Sequence, residues 1–492
     1  MKIIHSALLP SVLPSVLPSV LWSAAVAALL LSGCLRPTVE APPGAQQETS
    51  RTVKTATPRK PIASAFKLRA EPAWPCERSE TVDVNRGEAP ETFVAAVHCQ
   101  ITGKPASPEL VKDWSSKLRE RKFTRRVDVV HSLCKQHKRN CKLDYSDPWA
   151  EQLELLGAPQ RGGKRDVGAV FMFFFNCPGE VNCKMDWANT HAPGMDAPHS
   201  LLGFGAQQAA HYSPKAVGFW RRELLDAQYA GLQFLLLNTY GPDIEDGKLK
   251  PLTDALASID QPIQVALMDD TWSWGEPWFG PFWQKKPDLT DTEATAKLLF
   301  DAKWKPFFKQ IDAKHWYRFK GKPFIFFYNA GKLGPRSKAA AVLGRMKQLF
   351  KEEFGEEPFL DVDTAFYEDR DMPKVADAEF RWFTFQSPGK KSRSTRNGHI
   401  IDHAMVKWDA VGRDRPGDVA NAHDLLIKHS DLLQTLLDGS QDAELLLLAT
   451  WNDLGEGTGI NRNYDYYVDG RWLPPDHFLN LIRQSQSEGS AQ

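Results

Sequence analysis

Residues 166–176 read DVGAVFMFFFN. An almost unbroken apolar run, opened by Asp166 and closed by Asn176, suits a strand covered on both faces, as in a parallel sheet under helices. Comparable runs follow at Leu232–Leu237, Ile263–Met268, Pro323–Tyr328, Phe359–Val362, Phe380–Phe385 and Glu444–Thr450, with a weaker one at Ile400–Val406. Helical patterns separate several of them: Ser213-Pro214 caps a helix running to Tyr229, and Asp291–Ala313, Ser337–Phe354 and Asp418–Leu437 carry apolar residues at helical spacing. Roughly seven or eight βα units over about 300 residues predict an α/β chain built as a (β/α)8 TIM-like barrel, in preference to an open doubly wound sheet. No GxGxxG follows the first strand, which counts against a dinucleotide-binding sheet.

Upstream of the barrel the composition changes twice. Met1-Lys2 opens a stretch without acidic residues; Pro-Ser-Val-Leu then repeats, and Trp22–Leu31 is apolar or small throughout. Prolines at 10, 14 and 18 break the first half, so the segment falls short of the ~20 residues of a spanning helix and reads as a secretory signal. It ends Leu31-Ser32-Gly33-Cys34, which resembles the bacterial lipobox, where cleavage precedes a cysteine that then carries lipid. The expected domains are a signal at 1–33, a flexible tether at 34–72, a small disulfide-containing helical domain at 73–157 and the barrel at 158–492. The chain is expected in the bacterial envelope, held to a membrane by lipid on Cys34 and facing the outer membrane or cell surface.

Six cysteines remain after Cys34, and an even set in an exported chain reads as disulfides. Local spacing favours Cys134–Cys141 and Cys177–Cys183, leaving Cys76–Cys99; no CxxC pair suggests zinc. The 492 residues hold 61 Lys+Arg against 61 Asp+Glu, so no basic excess points to nucleic acid as the main partner. Within 111–143, however, eleven Lys/Arg face three Asp/Glu on short helices expected at Thr92–Gln100, Ser107–Glu120 and Thr124–Gln136. That basic face reads either as a contact for an anionic surface or as a plain solvated face.

In a barrel of this kind the chemistry sits at the C-terminal ends of the strands. Asn238, Tyr240 and Asp243 follow the second strand, Asp269, Asp270, Trp272, Trp274 and Glu276 the third, Tyr328 and Asn329 the fourth; Asp361 and Asp363 lie near the fifth and Gln386 after the sixth. The last strand runs into Thr450-Trp451-Asn452-Asp453-Leu454-Gly455-Glu456. Two carboxylates three apart on a turn suit glycosidic hydrolysis, which needs one acid for the leaving oxygen and one base or nucleophile.

The run ATWNDLGEGTGI, 449–460, resembles the end of the last barrel strand in glycoside hydrolase families 71 and 99, which act on α-1,3-glucans and α-mannosides. Matched position by position, Asp453 takes the base-like role and Glu456 the acid role. GKPFIFFYNA resembles a family 99 strand more loosely, while LMDDTWSW stands where that family carries an acidic HIEPY-like run. The resemblance implies a hydrolase acting on an α-linked polysaccharide without a cofactor. Tyr240, Asp243, Asp269, Asp270, Trp272, Trp274, Glu276, Trp451 and Asn452 are the expected substrate-binding residues.

Trp272, Trp274, Trp278 and Trp283 fall close together among Gly275, Pro277, Gly280 and Pro281, a pattern of neither helix nor strand. Such a loop either stacks sugar faces on indole rings or packs its rings beneath a lid. His191, His199 and His211, with Asp186 and Asp196, lack HxH or HExxH spacing, so no metal is expected there. Two other readings stand beside the hydrolase: a non-catalytic carbohydrate-binding envelope lipoprotein, and a structural envelope protein in which the basic helices matter most.

Overall fold

A computed structural model gives the fold, and it describes residues 76–83, 89–119, 126–144, 157–159, 165–173, 214–215, 217–239, 241, 247–275, 287–328, 333–381, 391–406, 432–453, 458–462, 467–468, 471–473 and 476–488. The signal, Cys34, the tether, Cys177, Cys183, the three histidines at 191–211, Tyr240, Asp243, Glu276, Trp278, Trp283, Asn329, Gln386 and Glu456 lie outside the described residues. Among the described residues no helix is long and apolar enough to cross a membrane.

The N-terminal described part holds strand β1 (Thr81–Asp83), three helices and strand β2 (Lys142–Asp144), which pairs parallel with β1. The helices are Pro90–Thr102, Pro108–Arg119 and Arg126–Gln136. Proline opens the first two, where its missing N–H costs nothing. Phe93, Val94, Val97, Trp114, Leu118, Val129, Val130 and Leu133 form their buried side. Two disulfides join this part: Cys134–Cys141, favoured by spacing, with Cα atoms 6.1 Å apart, and Cys76–Cys99, the remaining pair, at 5.3 Å. Part of the basic excess is turned inward. Arg126 is buried over the Phe93 ring, and the Arg139 guanidinium donates to the carbonyls of Ser79 and Ile101 at 3.0 and 2.5 Å.

The larger sheet is a barrel. Its strands are β3 (Asp166–Met172), β4 (Phe234–Thr239), β5 (Gln264–Asp270), β6 (Arg318–Phe319), β7 (Lys322–Tyr328), β8 (Phe359–Asp363), β9 (Ala378–Phe380), β10 (Lys391–Ser394), β11 (Ile401–Met405) and β12 (Leu445–Ala449). Eight of them, β11-β12-β3-β4-β5-β7-β8-β9, run parallel in that spatial order; β10 adds antiparallel to β11, and β6 pairs antiparallel with β7. The two ends of the sheet meet. Glu379 N–H of β9 donates to Ser394 Oγ of β10 at 3.4 Å, and Arg396 pairs with Glu379 at 2.6 Å. The near-closed sheet is the (β/α)8 barrel that the apolar runs predict.

All six residues of β4 are buried, as befits a strand with helices outside and barrel core inside. Each fully buried Leu there contributes about 1.5–3 kcal/mol relative to exposure. At the N-terminal ends of the strands an aromatic plug closes the barrel: Phe234 stacks on Tyr317 at 3.7 Å, Phe324 on Phe359 at 5.8 Å, and Tyr317 Oη donates to Asp166 Oδ2 at 2.8 Å. Gly168 makes room for it, since a Cβ there would meet the Phe234 ring at 2.3 Å. That end being filled, a site in such a barrel is sought at the C-terminal ends of the strands.

Three sequence expectations shift. The strand expected at Phe380–Phe385 is described at Ala378–Phe380, with 382–390 outside the described residues. The helix expected at Asp291–Ala313 is three pieces, Thr292–Leu299, a π-helical turn Phe300–Trp304 and Lys305–Gln310. β10 had no counterpart in the sequence reading.

Candidate active site

Alternation along β5 decides which of its two terminal carboxylates can reach a ligand, because successive side chains leave a strand on opposite faces. Asp269 faces the helical layer. Lys303 Nζ, on the π-helical turn, donates to Asp269 Oδ1 at 2.7 Å, Trp304 Nε1 donates to its Oδ2 at 2.9 Å, and both ions are fully buried. Lys303 Nζ also reaches the carbonyl of Asp270 at 2.8 Å. Asp269, expected to bind substrate, is therefore a brace between strand and helix, because the period of two turns it away from the barrel axis.

Asp270 faces the barrel. Asn238 Nδ2 on β4 donates to its Oδ2 at 3.2 Å and Trp272 N–H to its Oδ1 at 3.0 Å. Burial pushes the Asp270 carboxyl up to about 6, against the pull of the Trp272 N–H, the Lys303 charge and Asn238. A carboxyl poised there can exchange a proton near neutral pH, which suits acid–base work.

The indoles after β5 divide. Trp272 is half-buried, whereas Trp274 is 2% exposed with Lys303 Nζ 5.5 Å from its ring centre. Trp274, expected to stack on sugar, packs as core instead; its neighbours fill the space that a ligand would need.

After β12 the chain folds back on itself. Thr450 N–H donates to the Thr458 carbonyl at 3.3 Å, the two threonine hydroxyls lie 2.8 Å apart, and Ile460 and Asn461 N–H both donate to the Trp451 carbonyl at 2.8 Å. Gly459 keeps this return uncrowded, since a Cβ would lie 3.3 Å from Asn452 Cα and the Trp451 carbonyl oxygen. Asp453, 6% exposed, is fixed on both sides of its backbone: its N–H donates to Thr450 Oγ1 at 2.9 Å and its carbonyl accepts from Gly459 N–H at 3.2 Å.

Its two neighbours have other tasks than the sequence suggested. Asn452 is fully buried and grips β3 by both ends of its amide, accepting from Met172 N–H at 2.6 Å and donating to the Met172 carbonyl at 3.1 Å. Trp451 is fully buried too, its Nε1 donating to Glu223 Oε2 on the helix Val217–Ala230 at 2.5 Å. Neither is left for sugar, because each completes the packing around the end of β12.

Deeper in the barrel, Asp361 Oδ2 of β8 and His403 Nε2 of β11 meet at 2.9 Å, and the Phe380 ring lies 4.1 Å from the imidazole. Both residues are buried, and Asp361 Oδ1 and His403 Nδ1 have no hydrogen-bond partner among the described residues. Asp363, two residues on, caps the turn Thr364–Glu368 by accepting from Ala365 N–H at 2.7 Å. His403 escaped the sequence reading, although its place between Ile401 and Met405 on one strand face marked it as inward-pointing. Among the described residues no group of His, Cys, Asp and Glu could hold a metal ion.

A family model described as "Domain of unknown function (DUF5010)" matches residues 194–491. No curated protein matches the chain. Among solved structures it is similar to a GH99 endo-alpha-mannosidase from Bacteroides thetaiotaomicron in complex with BIS-TRIS-propane, at 15% identity over 66% of this chain and 97% of that one, with a TM-score of 0.45. A second structure of that mannosidase gives 14%, the same coverage and 0.44. A protein described as glycoside hydrolase-like gives 15%, 66% and 95% coverage, and 0.44. Scores at this level transfer no activity and no residue, and the barrel stands on its own strand order.

Proposed function

The chain belongs to the DUF5010 family, whose name assigns no activity, and from its site we propose that it is a glycoside hydrolase acting on an α-linked polysaccharide, of α-1,3-glucan or α-mannan type. One observation carries this reading. A barrel plugged with aromatics at one end holds a buried carboxyl, Asp270, raised to about 6 at the other, where Asp453 stands on a braced loop after the last strand. In the proposed reaction Glu456 protonates the leaving oxygen and Asp453 acts as its base-like partner. Asp270 and the half-buried Trp272 contact the sugar, together with Tyr240, Asp243 and Glu276. The chemistry needs no cofactor.

We place the enzyme in the bacterial envelope, tethered by lipid on Cys34. Detergent partitioning of a Cys34→Ser protein tests the tether: an unlipidated chain stays in the aqueous phase, and one that still enters detergent refutes the anchor.

The alternative, a non-catalytic carbohydrate-binding lipoprotein, is favoured by the commitment of Trp451, Asn452, Trp274 and Asp269 to packing. Product release by the wild-type chain separates the two, and replacing Glu456 by Gln then tests the acid. For a hydrolase, turnover falls by ~10²–10⁴ while oligosaccharide binding persists, and substrates with activated leaving groups suffer less. Unchanged turnover on natural polysaccharide removes Glu456 from the mechanism.

A further inference from the structure

Both feet of the loop bearing Asp453 rest on one helix. At the first foot Trp451 Nε1 donates to Glu223 Oε2 at 2.5 Å; at the second, Arg462 Nε donates to Asp226 Oδ2 at 3.2 Å, while Arg222 reaches Asp226 Oδ1 at 3.4 Å. Glu223 and Asp226 are three residues apart on Val217–Ala230 and so share a face of that helix. Each is 3% exposed. Two adjacent carboxyl groups are a costly choice in the layer between helix and barrel, where apolar residues of the same size pack without desolvation. Asp226 has Arg222 as a partner on its own helix, but only the loop meets both carboxyls among the contacts described.

We propose that Glu223 and Asp226 form a carboxyl clamp that positions the Asp453 loop, acting on the site through Trp451 and Arg462 without touching substrate. The proposal deepens the hydrolase reading and rests on it for its link to turnover.

The charges around Glu223 are few. Arg222 and Asp226 face it from its own helix, and Arg462 with the Trp451 N–H from the loop. The helix His477–Glu488 also packs on Val217–Ala230, but its Arg483, and Asp476 just before it, act on Tyr229 further along. β3 packs Phe171 against Trp220 of this helix, and the helix Leu249–Ser258 meets it at Arg221, whose guanidinium donates to the Ser258 carbonyl at 2.9 Å. Burial and the neighbouring Asp226 push Glu223 up to about 8, against the Trp451, Arg462 and Arg222 contacts. Below that pH a neutral carboxyl keeps an oxygen for the indole and adds no charge beside Asp226. The folded state therefore holds this proton more tightly than an opened one, and the hold on the loop weakens as pH rises from about 4.5 through about 8.

Amide hydrogen exchange across Trp451–Asp453 and Thr458–Arg462, followed from pH 6 to 9 alongside turnover, tests the clamp in the full chain. Glu223→Gln keeps the acceptor without the titration; Glu223→Leu removes the acceptor; Arg462→Met frees the second foot. The expected result is exchange about tenfold faster in these two segments for Glu223→Leu and Arg462→Met, with the barrel strands unaffected and kcat lowered more than KM is raised. Glu223→Gln should be at least as well protected as wild type at pH 7 and lack the loss of protection that wild type shows from pH 6 towards 8. Wild-type exchange in both disruptive variants, or acceleration spread evenly over the barrel, overturns the clamp. If the segments loosen as stated but wild-type protein cleaves no polysaccharide, the clamp stands and the hydrolase reading falls.

Discussion

Replacing Lys303 by Met removes a fully buried cation and leaves Asp269, equally buried, with an uncompensated charge. The lysine makes two short bonds, 2.7 Å to Asp269 Oδ1 and 2.8 Å to the Asp270 carbonyl, and a longer one of 3.4 Å to the Thr239 carbonyl. Breaking one side of such a pair costs about 3–5 kcal/mol. With an unfolding entropy of about 2.1 cal/mol/K per residue, a barrel of roughly 300 residues loses about 5–8 °C in Tm. Adding Asp269→Asn neutralises the orphan while keeping one acceptor oxygen for Trp304 Nε1, so the double variant should regain at least half of the loss. Urea and thermal unfolding of wild type, Lys303→Met and the pair measure both steps. A single-variant loss under about 1 kcal/mol, or a double variant no better than the single, refutes Asp269 as a buried, braced ion.

Gly168→Ala should destabilise by at least ~1–3 kcal/mol, because the new methyl group overlaps the Phe234 ring of the plug; an unchanged denaturation midpoint contradicts the plug. Trp274→Ala should cost ~3–5 kcal/mol, whereas Trp272→Ala should weaken oligosaccharide binding with little change in Tm; equal Tm losses in the two would show that both indoles are core. Asp270 holds its proton more tightly folded than unfolded, so its contribution is full below pH 3.8 and disappears as pH rises through about 6. Asp270→Asn should therefore flatten the decline in wild-type stability over that range by on the order of 3 kcal/mol, and parallel pH profiles would remove Asp270 from the mouth.

What the sequence shows of the barrel follows from how its strands are buried. Strands covered on both faces must be continuously apolar, and β3, β4, β5, β7, β8 and β12 are legible for that reason. β10, Lys391–Ser394, is not. It carries Lys391 and Arg393 to Asp402 at 2.8 and 2.7 Å, and a strand held by ion pairs looks like a polar loop. The site was legible as a place and much less as a set of side chains. Asp269 and Asp270 are equal on a list of residues after a strand, yet the period of two sends one to Lys303 and the other to the barrel axis. Trp451 and Asn452 stand beside Asp453 in the motif, but only folding brings Glu223 and the Met172 backbone to them from over 200 residues away. Lys303 was hidden because its helix reads as regular, and the π-helical turn that aims it leaves no mark in the apolar spacing.

The central claim is that the barrel cleaves α-linked glycosidic bonds, and the most direct measurement is the release of new reducing ends from α-1,3-glucan and α-mannan by the mature chain, resolved by product size. Catalysis by the Asp453 and Glu456 pair predicts oligosaccharides that accumulate with time from at least one of these polymers and fall by ~10²–10⁴ in rate with Glu456→Gln. Binding of the polymers with no reducing ends released, at any pH from 5 to 8, contradicts it and leaves a carbohydrate-binding barrel.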